Sequence, residues 1–205
     1  MNYKGDLIIS RYKEDVSWLK QVPYYRRFLY NKGNHLEGSI VLPNVGREIH
    51  TYFHHIIQNY DKLADWSFFT QGHPFDHVRN YVEFFNNFPS GTIPSPLKIN
   101  KLIYFLSNGV FSQTLYSKSD GSPHHFAVLN IDEVWSDLFD NSPPNDYPFT
   151  AGATFAVSKE IILSRPKSFY GKCLDLSVNR EHGPWEFERI FPSLFDPKNK
   201  VKNDL

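Results

Sequence analysis

LPNVGREIHTYFHHIIQNYDKLADWSFFTQGHPFDH, residues 42–77, is the most legible stretch of this chain and decides its fold class. Ile49, Tyr52, Phe53, Ile56, Ile57, Tyr60 and Leu63 recur at steps of three and four, which predicts a helix with one continuous apolar stripe. Glu48, His55, Gln58 and Asn59 fall on its other faces. Ahead of it Ile40-Val41-Leu42-Pro43 is extended, and behind it Trp66-Ser67-Phe68-Phe69-Thr70 reads as a strand. Upstream, Leu7 to Tyr12 is a short apolar run of strand length. Asp15 is placed to cap a short helix carrying Val16 and Leu19, and Pro23 ends it. Arg27 to Tyr30 is a further strand, closed by the turn residues Asn31-Lys32-Gly33. Strands alternating with helices predict an α/β protein: one Rossmann-like domain over residues 1–205, with a mainly parallel central sheet flanked by helices.

Downstream, Val78 to Phe88 has helical spacing, residues 89–96 read as a loop, and Leu102 to Leu106 is helix or strand. Residues 117–148 are loop-rich apart from a short helix at Asp132 to Phe139. Thr154 to Val157 is a strand, and Ser158 is a good N-cap for a helix with Ile161 and Ile162. Pro166 breaks or restarts that helix, Phe169 to Leu176 continues it, and Pro184 fits the first turn of another. The charged residues 196–205 are expected to be a frayed tail.

Composition narrows the function classes. Twenty-two basic and 22 acidic residues cancel, which argues against a protein that coats nucleic acid. A single cysteine, Cys173, excludes internal disulfides and multi-cysteine zinc sites, and its apolar surroundings mark it as a core residue. No apolar run approaches the length of a membrane span, and residues 1–6 lead into a strand rather than a secretion signal, so a cytoplasmic setting is expected. Aromatics make up 17% of the chain, and a Phe-rich core accounts for most of them. Aromatic rings fill cores, and they also stack sugars and bases.

Four groups of residues carry the candidate chemistry. Asn44-Val45-Gly46-Arg47-Glu48 lies where a turn enters the strongest helix; free N–H groups, a glycine and an arginine fork there suit phosphate, the alternative being a capped helix with Asn44 as N-cap. Gln71 to His77 follows a strand end, where ligands bind in open α/β sheets. Within it His73, Asp76 and His77 are three candidate ligands for a cation, or else Asp76 caps the next helix. Arg11 and Glu14 close the first strand on the same edge. Glu186 and Glu188 are two apart, so they face different directions on a helix; one is a candidate general base, with Arg189 beside it to neutralise it or bind phosphate. His54 and His55 diverge by about 100° and cannot chelate together.

Residues 42–77 resemble the family named domain of unknown function 3431. So do Ser10-Arg11-Tyr12-Lys13-Glu14-Asp15-Val16-Ser17-Trp18-Leu19, Tyr30-Asn31-Lys32-Gly33, the run from Gly152 to Ser158, and Pro-Trp-x-x-Glu-Arg at 184–189. The arrangement also resembles, more distantly, the nucleotide-sugar half of GT-A glycosyltransferases. That resemblance implies a nucleotide-sugar donor and a glycan or other hydroxyl acceptor. It puts Arg11 and Glu14 by the nucleotide, Asn44 and Arg47 near the donor, and the segment from Gly152 beside the acceptor; Gly46 and Gln71 are expected among the substrate-binding residues. Glu188, with Glu186 second, is the implied base, Arg189 adjoins them, and Asp76 and His77 are the implied holders of Mn or Mg. GT-A enzymes usually carry Asp-x-Asp; here Gln71-Gly72-His73 stands in its place and the pattern occurs nowhere in the chain. Either Asp76 and His77 substitute, or Arg and Lys neutralise the diphosphate, or the site does not catalyse. The expected activity is therefore sugar transfer, with a non-catalytic nucleotide- or carbohydrate-binding module and a metal-assisted phosphoester hydrolase as alternatives.

Overall fold

The computed structural model describes residues 5–87, 98–99, 102–104, 115–118, 129–144, 146–149, 151–203 and 205. Strands β1 (Asp6–Arg11), β2 (Arg26–Asn31), β3 (Ile40–Val41) and β4 (Trp66–Gln71) form the parallel part of a seven-stranded sheet. Its order is β3-β2-β1-β4-β9-β6-β5, where β5 is Lys98–Ile99, β6 Leu102–Tyr104 and β9 Phe155–Ser158. β9 runs antiparallel to β4 and to β6, and β5 antiparallel to β6. Five strands therefore point one way and two the other, which gives a mixed, mostly parallel sheet of Rossmann-like architecture. The antiparallel insertion of β9 matters for the site, because it brings the residues just before β9 to the edge where β1, β2 and β4 end.

The sheet is buried on both faces, and period-two alternation assigns each residue to one of them. Ile8, Phe69, Phe155 and Val157 join a cluster with helices α1 (Arg47–Asn59), α5 (Lys167–Asn179) and α6 (Gly183–Leu194). Leu7, Ile9, Phe68 and Ala156 face the opposite side, against Trp18 and Leu19 of a 3₁₀ turn (Ser17–Gln21) and Tyr81 and Phe85 of α2 (Tyr81–Asn87). Ile49, Tyr52, Phe53 and Ile56 of α1 are fully buried, as the stripe requires. Asp6, also fully buried, is held by a bidentate pairing with Arg26 at 2.7 Å, which secures the opposite edge of the sheet.

Most expected elements are present. Ser158 caps α4 (Lys159–Leu163) by accepting from the Ile161 N–H at 3.4 Å, and Pro184 lies in the first turn of α6. Cys173 is buried in the core. Residues 102–104 form strand, and the helix expected near 132–139 is α3 (Ile131–Leu138). Two expectations differ. Within residues 117–148, read as loop-rich, β8 (Asp146–Phe149) pairs antiparallel with β7 (Leu115–Lys118); Pro144 and Pro148 hid it, and a two-stranded ribbon has edges on which proline is tolerated. The tail expected to fray is docked: Val201 bridges Phe139, Lys202 N–H donates to the Leu138 carbonyl at 3.1 Å, and Val201 and Leu205 pack on the core. Its two apolar side chains outweigh the charges that suggested fraying. The loop expected at 89–96 and the pair His124-His125 lie outside the described residues. Among the described residues no helix is long and apolar enough to cross a membrane.

Candidate functional site

Three strand ends and two helices meet at the C-terminal edge of the parallel strands. The loop after β1 is held from inside by Arg11, which is 6% exposed. Its Nε donates to the Glu14 carbonyl at 2.9 Å; its Nη1 donates to Asn31 Oδ1 at 2.8 Å, and its Nη2 to Asn34 Oδ1 at 3.0 Å. Arg11 thus locks the β1 and β2 loops together, with its guanidinium engaged by protein. Glu14 Oε2 accepts from the Tyr12 and Lys13 N–H groups at 2.6 and 3.1 Å, and its side chain fills the space above Gly72. The exposed Asp15 accepts from both the N–H and the hydroxyl of Ser17, bonds that lower its carboxyl from the ordinary range.

Asn44 is exposed, and the residue at the helix cap is Gly46, not Asn44. Gly46 (φ 59°) and Arg47 (φ 47°) are both left-handed, and a Cβ on Gly46 would stand 2.8 Å from the Cβ of His50. The turn is braced from below by Lys32, 8% exposed, whose Nζ donates to the Val45 carbonyl at 2.6 Å and to the Arg47 carbonyl. Burial lowers the Lys32 ammonium to about 8, against the opposing pull of Glu48. Among the described residues the N–H groups of Arg47, Glu48 and Ile49 meet no acceptor, so the positive end of α1 keeps donors that its own helix does not use.

Glu48, in the first turn of α1, is 9% exposed. It accepts from Gln71 Nε2 at 3.4 Å and lies 3.6 Å from Arg47 Nε, whose guanidinium in turn sits 5.4 Å over the Trp185 ring of α6. One turn further along α6, Glu188 Oε1 accepts from the Gly152 N–H at 2.8 Å. Gly152 is left-handed (φ 70°), and a Cβ there would run into the His77 ring at 2.3 Å. Burial raises the Glu188 carboxyl above the ordinary range and the Glu48 charge adds to the rise; the Gly152 N–H, Arg189 and Arg47 oppose it. Beneath them Tyr52 is fully buried, its hydroxyl has no partner among the described residues, and burial followed by the nearby glutamates holds it un-ionised. A half-buried carboxyl with a raised proton affinity, on the edge where a helix N-terminus has N–H groups to spare, can accept a proton next to a bound anion.

Glu186 has a different surrounding. Its Oε2 pairs with Arg180 Nε at 2.7 Å and its Oε1 accepts from the Asn130 N–H at 2.9 Å, so both oxygens brace α6 against α3. Asp76 is exposed and lies 3.6 Å from His73, while His77 packs on Gly152. A divalent cation, implied by the GT-A resemblance, would need more donors: among the described residues no three His, Cys, Asp or Glu side chains form a metal group. That donor set does not fit an all-protein cage. His54 is half-buried and stacks with His50, and His55 meets the Tyr30 hydroxyl at 3.0 Å, so both serve the packing of α1.

The structure therefore brings Gly46, Arg47, Gln71, Gly152 and Glu188 to one edge. Lys32 and Tyr52 join them without having been expected, and so does Glu48 of the candidate turn, which had been given no role of its own. Lys32 was hidden in a turn signal and Tyr52 in the apolar stripe. Glu48 had a readable signal, since an acidic residue directly after Gly-Arg at a helix start lies at the mouth of the turn.

An α/β sheet with this polar edge defines a Rossmann-like protein whose architecture is compatible with nucleotide or sugar binding. Residues 7–88 match the model of a family described as Protein of unknown function (DUF3431). The matched segment carries β1 to β4, α1 and α2, and stops short of Gly152 and Glu188. No curated protein and no solved structure matches the chain.

Proposed function

We propose that the protein transfers a sugar from a nucleoside-diphosphate donor to a hydroxyl acceptor, with Glu188 as the base. The acceptor O–H gives its proton to Glu188 as its oxygen attacks the anomeric carbon; the bond from that carbon to the diphosphate breaks, and the nucleoside diphosphate leaves with the electron pair. The N-terminus of α1 and the Arg47 guanidinium are the groups that face the leaving charge. The observation that carries this reading is Glu188, held by the Gly152 N–H and raised in proton affinity, on the edge where the first N–H groups of α1 meet no acceptor among the described residues. Arg11 and Glu14 act by shaping the nucleotide loop, Asn44 lies at its rim, and Arg189 tempers the Glu188 charge. No step is routed through Mn or Mg; a cation shared by Asp76, His77 and the diphosphate is a proposal that a manganese arm tests.

The engaged guanidinium of Arg11 and the missing metal group among the described residues favour a second reading, a binding module of the same fold. Incubation with UDP-glucose and GDP-mannose, with and without manganese, separates the two. Sugar transfer or slow sugar release, reduced about 10²–10⁴-fold in Glu188→Gln, supports the transferase. Thermal stabilisation by either donor without turnover, unchanged in Glu188→Gln, supports the module.

A further inference from the structure

We infer that Lys32 is a positioning residue for the phosphate end of the site: buried under the turn into α1, it fixes the amide donors of that turn and supplies the cation behind them for a diphosphate. The inference rests on the proposed transfer reaction, which it deepens by naming where the leaving group is held; its substance is geometric. Lys32 is the one lysine among the buried residues described, at 8% exposure. Its Nζ donates to the carbonyls of Val45 and Arg47, and no carboxylate pairs with it among the described residues. A buried ammonium resting on neutral carbonyls alone is costly, and an anion bound at the turn completes it. The carbonyl and the following N–H of a trans peptide point opposite ways, so pinning these two carbonyls turns the Gly46 and Glu48 N–H groups away from Nζ. Neither N–H meets an acceptor among the described residues, and Asn44, Val45 and Arg47 are exposed around them.

The scaffold holds Lys32 in place. Its own N–H donates to the Arg11 carbonyl at 2.8 Å, and Asn31 before it accepts from Arg11 Nη1 at 2.8 Å. Gly33 after it lies so close to the end of β1 that a Cβ would stand 1.6 Å from the Tyr12 carbonyl oxygen. β2 thus delivers Lys32 to the turn through a chain reversal clamped on β1. Around Lys32 stand Glu48, His50 and His54 on α1 and Arg47 in the turn, while Arg11 of β1 turns its guanidinium to Asn31 and Asn34. Residues 39–46 carry no titratable side chain, and α5 meets the turn through Ser177 and Val178. Burial first, and Lys32 with it, holds His50 and His54 below the ordinary histidine range, so both are neutral at pH 7. Two cations, Lys32 and Arg47, therefore stand against one carboxylate, Glu48, which Arg47 and Gln71 already engage. Burial lowers the Lys32 ammonium to about 8, and a bound anion opposes that lowering.

Calorimetric titration of the full chain with inorganic pyrophosphate, from about pH 7 to about pH 9, tests this without requiring turnover. The native chain should bind the probe at pH 7. Lys32→Arg keeps charge and donors and should bind nearly as well; Lys32→Gln keeps donors without charge and should lose about tenfold or more. The charged form of Lys32 is the one that receives the anion. Native affinity should therefore fall relative to Lys32→Arg as pH rises past about 8, a ratio that cancels the ionisation of the probe itself. A turn held by hydrogen bonds alone gives equal rescue by Gln and Arg and a ratio flat with pH. Either result overturns the inference, and so does a native chain that does not bind pyrophosphate. If Lys32→Gln does not fold, the pH ratio against Lys32→Arg decides. If neither variant folds, native affinity for sulfate, whose charge is constant over this range, decides by falling above pH 8 or staying flat. Pyrophosphate binding as expected, with no transfer from UDP-glucose or GDP-mannose, leaves Lys32 in this role and removes the transferase reading. Transfer indifferent to Lys32→Gln does the reverse.

Discussion

Glu186 and Glu188 sit two positions apart on α6, and the environments of their carboxyls set them to different tasks. Glu186 is 2% exposed and spends its oxygens on Arg180 and the Asn130 N–H. Glu186→Gln breaks the ion pair and leaves Arg180 with Glu133 alone, so unfolding in urea should show a loss of roughly 2–3 kcal/mol. Glu188 has the opposite sign. Its folded-state proton affinity is raised, so the folded protein binds more protons than the unfolded one, and its contribution to stability falls as pH rises past the ordinary carboxylate range. Glu188→Gln removes that decline; its stability at pH 7 should equal or exceed that of the native chain, and a clear loss would contradict the assignment. The two-residue spacing made it legible that these glutamates face apart. Which one faces the cleft depended on Arg180 and Asn130, side-chain and backbone partners with no local signature.

At the level of elements, the site depends on two left-handed glycines where helix or strand begins. Gly152 hands its N–H to Glu188 only because nothing projects toward His77. Gly152→Ala places a Cβ 2.3 Å from the His77 ring and forces a left-handed alanine, which costs about 1–2 kcal/mol before any clash. The N–H to Glu188 should shift with it, so donor turnover should drop more than donor affinity; equal losses in both would point to global misfolding instead. Helix α1 was readable because its stripe obeys one period over its whole length. The strand β9 was readable too, but not its direction: Phe155 to Ser158 has the same apolar alternation whether it runs parallel or antiparallel. Direction follows from pairing with β4 across the sheet, a non-local choice with no signature in the strand itself, and the arrival of Gly152 at the site depends on it.

Across the whole molecule, burial of the histidines of α1 ties stability to pH. His55 is lowered to about 3, first by burial and then by Arg26, His54 and Lys62, and His50 to about 4, by burial and then Lys32. Both are lowered in the folded state, so the unfolded chain takes up protons first below about 6.5 and stability falls from there toward pH 3. Unfolding free energies from urea titrations should drop between pH 7 and 4.5, by roughly 2–3 kcal/mol for His55 alone; a flat profile would contradict its neutral burial. The same compact packing of α1 against the sheet presents its N-terminus at the edge where β1, β2 and β4 end, and the central claim is that this edge receives an activated sugar. Amide hydrogen exchange, with and without UDP-glucose and GDP-mannose, tests it most directly. Slower exchange at residues 46–49 and at Gly152 is the expected result, while protection confined to the pocket that Asp132, Trp135, Phe139 and Lys202 line, or none anywhere, would contradict it.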